Sequence, residues 1–209
     1  MKVLLLNGSP HKNGTTWAAL SEAAKRLEEH GIETEIFHPD MKPVQPCLSC
    51  FACFKGGEGK CFYNDDSVNE FIAKAKEADG FIFGSPVHYA SASGFITTFL
   101  DRAFYAGSRF FKHKPGANVV CCRRGGASAS FDQLNKYFTI ASMPVVSSQY
   151  WNMVYGSNAE QAKLDEEGMQ TMRTLADNMA WLLKCIDAGK AAGINVPKLE
   201  APIHTNFIR

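Results

Sequence analysis

The sequence predicts an α/β fold: a five-stranded, mainly parallel sheet with helices on both faces. Three observations lead there. Short aliphatic runs with no polar alternation recur along the chain, as strands buried on both faces require. Segments with apolar residues at helical spacing separate them. Alternation of the two implies crossover connections and a doubly covered sheet.

The first strand is Lys2-Val3-Leu4-Leu5-Leu6, stopped by Asn7-Gly8. From Thr15 the pattern turns helical through Trp17, Leu20, Ala23, Ala24 and Leu27, with Gly31 as its stop. A second strand covers 32–37 and ends at Pro39. Asp65-Asp66-Ser67 offers N-cap chemistry for a helix carrying Val68, Phe71, Ile72 and Ala75. Residues 80–85 read as the central strand, and a helix follows from Ser93. A fourth strand covers 117–122, a helix 131–141, a fifth strand 143–150 and a long helix 168–188. The segment 41–64, with its prolines, glycines and four cysteines, shows no sustained period and reads as an excursion. The tail from about 197 is irregular. No repeat or linker divides the chain, so one domain over 1–209 is expected.

Composition narrows the function classes. The chain has 209 residues, 45% apolar and 21% charged, with a formal net charge of +1. No apolar run is long enough to span a bilayer, and the N-terminal stretch is too short for a secretory signal. The expected setting is cytoplasmic. The balanced charge gives no broad basic surface for nucleic acid. Seven cysteines are an odd number, which argues against a disulfide framework.

The loop Gly8-Ser9-Pro10-His11-Lys12-Asn13-Gly14-Thr15-Thr16 joins the first strand to its helix. In open α/β sheets this turn lies at the carboxyl edge, where ligands bind. A helix start offers unpaired N–H groups and partial positive charge, so a phosphate is favoured, with Ser9, Thr15 and Thr16 as further donors. The residues alone are equally compatible with a polar turn in which Thr15 caps the helix. Walker and dinucleotide patterns are absent: five residues separate Gly8 from Gly14, and Thr15 stands where lysine would be needed. Two further loops are expected at the same edge. Pro86, Val87, His88 and Tyr89 end the central strand and could meet a flat heterocycle. Arg123-Arg124-Gly125-Gly126 ends the fourth, where two glycines permit close backbone approach.

Together the Asn-Gly-Ser-Pro-His-Lys-Asn-Gly-Thr-Thr loop, Pro-Cys-Leu-Ser-Cys-Phe-Ala-Cys, Asp65-Asp66, the segment 78–89 and Phe99-Leu100-Asp101-Arg102 resemble the NADPH-dependent FMN reductase family. The resemblance covers roughly the first 126 residues. It implies a flavodoxin-like fold with strand order 2-1-3-4-5. It also implies FMN, with Ser9, His11, Lys12, Asn13, Gly14, Thr15 and Thr16 around the phosphate. Pro86, Val87, His88 and Tyr89 would lie beside the isoalloxazine, and Arg124, Gly125 and Gly126 at its far edge. The expected activity is an NAD(P)H oxidoreductase passing electrons through flavin to a quinone, flavin or similar acceptor, as a homodimer or homotetramer. The flavin carries the chemistry, so no catalytic acid–base pair is expected.

Cys47, Cys50, Cys53 and Cys61 fall within fifteen residues and resemble the compact motif of iron–sulfur flavoproteins. Four such thiolates suit a [4Fe–4S] cluster, tetrahedral zinc or redox-active free thiols. With a cluster, the alternative function is an electron carrier exchanging electrons with a ferredoxin-like partner. Cys121, Cys122 and Cys185 fall on predicted core elements, where inert packing is expected.

Overall fold

The structure, a computed structural model, describes residues 1–39 and 42–205. Met41, at the start of the cysteine-rich excursion, and the last four residues of the tail lie outside them. In chain order the elements are β1 (Lys2–Asn7), α1 (Thr15–Glu29), β2 (Glu33–Phe37), α2 (Ala52–Gly56), α3 (Val68–Glu77), β3 (Gly80–His88) and β4 (Ser91–Ala92). They continue with α4 (Gly94–Phe111), β5 (Gly116–Cys122), α5 (Ala127–Ile140), β6 (Met153–Tyr155), α6 (Ala159–Leu164) and α7 (Glu166–Ala191).

The sheet runs β2-β1-β3-β5-β6 with every neighbour parallel. This is the expected order 2-1-3-4-5 once β4 is set aside, since β4 only folds back antiparallel on the end of β3. Val3 of β1 faces Thr34 on one side and Gly80 on the other, so β1 and β3 are central neighbours. All seven residues of β5 are buried, as expected of a strand covered on both faces.

Two apolar layers cover the sheet. On one face α1 and α7 lie over Val3, Leu5, Ile82 and Val119, and the small Ala19, Ala23 and Ala176 let the helices approach closely. The other face is aromatic: Phe71 of α3, Phe99, Phe104 and Phe111 of α4 and Phe138 of α5 pack in one cluster with Phe81 and Phe83 of β3. Phe104 and Phe111 stack with centroids 4.3 Å apart. Each fully buried ring contributes about 1.5–3 kcal/mol by leaving water.

The fifth strand is displaced from its expected place. Residues 143–150 meet the sheet through one isolated bridge, Gly116 with Val145, and the ladder with β5 is made by Met153–Tyr155. Pro144 explains part of this: it has no N–H to give to a ladder. Helix α5 starts at Ala127, ahead of the expected 131, because its Ala-Ser-Ala-Ser opening carries no apolar stripe. The excursion is irregular apart from the short α2.

Candidate functional site

The carboxyl ends of β1, β3, β5 and β6 open on one cleft of about 790 Å³. The loop after β1 forms its first wall and is braced from behind. Buried Asn7 accepts from the Ser9 N–H at 3.1 Å and donates to the Lys12 carbonyl at 3.3 Å. Ser9 Oγ accepts from the His11 N–H at 3.1 Å. The Gly8 N–H donates to the Gly84 carbonyl at 2.9 Å. A Cβ at Gly8 would stand 2.8 Å from that same carbonyl oxygen, so the approach requires glycine. Ser93, the N-cap of α4, donates its hydroxyl to the Gly8 carbonyl at 3.1 Å.

These bonds leave the front of the loop free. Helix α1 begins after Gly14 with no side-chain cap and no acidic residue in its first turn. Its orphan N–H groups and positive dipole end therefore face the cleft, with Lys12 beside them.

The second wall is Pro86, Val87, Cys121, Cys122 and Arg123. Burial pushes the Cys121 thiol up to about 12, against a hydrogen bond with the Thr16 side chain that pulls it down. Burial likewise raises Cys122. Both stay protonated at neutral pH, so this wall offers neutral, polarizable surface and no thiolate nucleophile. The third wall is the loop 156–160 after β6.

The structure thus gathers Ser9, His11, Lys12, Asn13, Gly14, Thr15, Thr16, Pro86 and Val87 on the cleft. His88, Tyr89, Arg124, Gly125 and Gly126 do not line it. His88, the last residue of β3, is exposed. Tyr89 and Ala90 form the tip of the β3–β4 hairpin at φ of 50° and 58°, and Tyr89 is fully exposed. Arg123 takes the place on the wall expected of Arg124. Gly126, at φ of +91°, backs onto Ala90 and supports the hairpin instead. Sequence reasoning missed Cys121 and Cys122 as wall residues, although they end a correctly placed strand, and took Arg123 only as part of the turn after it. It also missed 156–160, whose signal was Asn158, the N-cap of α6.

Away from the cleft, Cys47, Cys50, Cys53 and Cys61 line one small apolar pocket beside Arg102 of α4. All four are free. Helix α2 presents Cys53, whose thiol contacts the Tyr105 carbonyl at 3.8 Å. Asn69 clamps Cys61 in place: it accepts from the Cys61 N–H at 2.8 Å and donates to the Cys61 carbonyl at 3.0 Å. Among the described residues no three His, Cys, Asp or Glu side chains are grouped to hold one metal ion. Four thiolates around one pocket are the kind of donor set that a multinuclear cluster uses.

The family model for NADPH-dependent FMN reductases matches residues 1–158. The chain belongs to that family. Its relatives include an iron–sulfur flavoprotein of Methanocaldococcus jannaschii, 35% identical over 89% of this chain and 99% of the relative. An iron–sulfur flavoprotein of Archaeoglobus fulgidus is 30% identical over 86% of this chain and 95% of its own. A solved archaeal flavodoxin superposes with a TM-score of 0.60 at 14% identity, over 88% of this chain and 99% of that one. The fold of this family member is therefore flavodoxin-like. No helix among its described residues is long and apolar enough to cross a membrane.

Proposed function

We propose that this family member is an FMN-dependent oxidoreductase whose cleft at the β1/β3 edge seats the flavin. One observation carries the reading: the uncapped start of α1 opens on a cleft of about 790 Å³, together with Ser9, Lys12, Thr15 and Thr16. Ligand pockets are commonly about 300–1,000 Å³, so the space suits a ligand of this class. The first-turn amides and the Lys12 ammonium bind the phosphomonoester, while the hydroxyls orient it. Pro86, Val87 and the neutral Cys122 thiol exclude water from a flat ring, and Arg123 places a cation alongside. Bound FMN supplies redox chemistry in one- or two-electron steps. NAD(P)H is the proposed donor and a quinone, flavin or similar small molecule the proposed acceptor, in a homodimer or homotetramer.

A second reading has its own observation, the four cysteines gathered on one pocket. Here Cys47, Cys50, Cys53 and Cys61 hold a [4Fe–4S] cluster, and the protein exchanges electrons with a ferredoxin-like partner. The similarity to two iron–sulfur flavoproteins, those of Methanocaldococcus jannaschii and Archaeoglobus fulgidus, favours it.

Anaerobic purification followed by flavin absorbance, iron and sulfide analysis tests both. Yellow protein that oxidises NAD(P)H in the presence of a quinone supports the first. Iron and sulfide with electron exchange only to a ferredoxin support the second. Colourless protein that takes up no added FMN overturns the flavin site.

A further inference from the structure

One side chain fastens the cysteine loop to the body of the fold. Arg102 is 1% exposed, the largest fully buried side chain among the described residues. Its Nε donates to Cys61 Sγ at 3.2 Å. Its Nη1 donates to the Gln45 carbonyl at 3.3 Å and to the Asp66 carboxylate, and its Nη2 to the Tyr63 carbonyl at 3.2 Å. The Tyr63 ring also lies 5.1 Å from the guanidinium carbon. These acceptors flank the four cysteines in sequence, with Gln45 before Cys47, and Tyr63 and Asp66 after Cys61.

A buried ion pair is weak evidence for stability, because desolvation offsets the attraction and apolar side chains of similar volume pack as well. What apolar side chains lack is a rigid fork of donors. Four acceptors on one loop use that fork, and one of them is the sulfur of a candidate ligand.

We propose that Arg102 is a positioning residue that closes the cysteine loop and, through its Nε–H bond to Cys61 Sγ, raises the reduction potential of an iron–sulfur cluster held there. This rests on the reading above that the four cysteines hold a cluster. Reduction adds negative charge, and hydrogen bonds to the sulfurs favour the more negative state. Asp66 opposes that effect by offsetting the guanidinium charge. The two residues therefore push the potential in opposite directions, which a purely structural pair would not do.

The experiment compares anaerobically purified wild type, Asp66→Asn, and the double variant Arg102→Gln with Asp66→Asn. The double variant leaves no buried charge unpaired, so it is the one to fold if Arg102→Gln alone does not. Iron and sulfide content give loading, circular dichroism gives folding, and a potentiometric titration followed by electron paramagnetic resonance gives the cluster potential. Asp66→Asn should raise the potential, and the double variant should fall below Asp66→Asn, since both lack the carboxylate and only one keeps the guanidinium. A folded double variant that loses iron supports the loop-closing role. Equal potentials in loaded Asp66→Asn and loaded double variant overturn the tuning role. An unchanged or lowered potential in Asp66→Asn overturns it as well. Wild type that binds FMN but no iron or sulfide overturns the cluster reading and this inference with it, and leaves the flavin site standing.

Discussion

The Thr15 hydroxyl donates to the Gly156 carbonyl at 3.4 Å, joining two walls of the cleft that lie 141 residues apart in the chain. A hydroxyl has one proton, so it serves either this tether or an anion at the start of α1. Removing it costs affinity in both cases. Thr15→Val keeps the shape and should weaken FMN binding about tenfold, roughly 1.4 kcal/mol, the size of one hydrogen bond. Titration of flavin fluorescence against protein measures it, and an unchanged affinity places the phosphate elsewhere.

Gly125 and Gly126 stand side by side in the turn after β5, yet alanine should affect them differently. A Cβ at Gly125 meets nothing within 4 Å. At Gly126 the backbone sits at φ of +91°, and a Cβ would stand 2.5 Å from Ala90 Cα and 2.8 Å from Val87 Cγ1. Gly125→Ala should change stability by no more than about 0.5 kcal/mol. Gly126→Ala should cost more than about 2 kcal/mol, because it combines a strained φ with a clash against backbone. Because the hairpin carries Val87 into the cleft, FMN affinity should drop with it. Urea denaturation of the two variants decides: equal midpoints would mean that the hairpin does not rest on Gly126.

What the sequence made legible was local. The run Val3 to Leu6, the helical spacing from Trp17 to Leu27 and the Gly8–Thr16 loop each carry their signal within a few residues, and the structure places all three as expected. The family resemblance supplied the sheet order. Strand β6 was not legible, because three residues of ladder carry little pattern while the longer apolar stretch 143–150 imitates a strand. Misplacing it hid the loop 156–160. His88 was chosen over Cys122, and Arg124 over Arg123, for a different reason: which residue at a strand end, or in the turn after it, reaches the cleft is set by how the neighbouring loops fold. Burial of Arg102 depends on Asp66, Cys61 and Tyr63 folding over it, which no local pattern announces.

Glu35 on edge strand β2 lies between two lysines, Lys2 of β1 at 2.8 Å and Lys74 of α3 at 2.7 Å. Hydrogen bonds to Lys2 and then Lys74 hold its carboxyl below the usual glutamate value, against partial burial that works the other way. A carboxylate with a depressed folded pKa contributes its stability above the unfolded pKa and loses it as pH falls through the folded one. Lys2 is raised by its bonds to Glu35 and Glu33, so its share holds at neutral pH and is lost only as pH climbs through the raised value. Glu35→Gln should therefore cost about 1 kcal/mol at pH 7, the upper range for partly exposed pairs. The gap to wild type should close as pH falls well below about 4.3, the ordinary glutamate value. Denaturant unfolding of both proteins across that range gives the curve. A gap that stays constant into acid would show that Glu35 stabilises through packing and not through its charge.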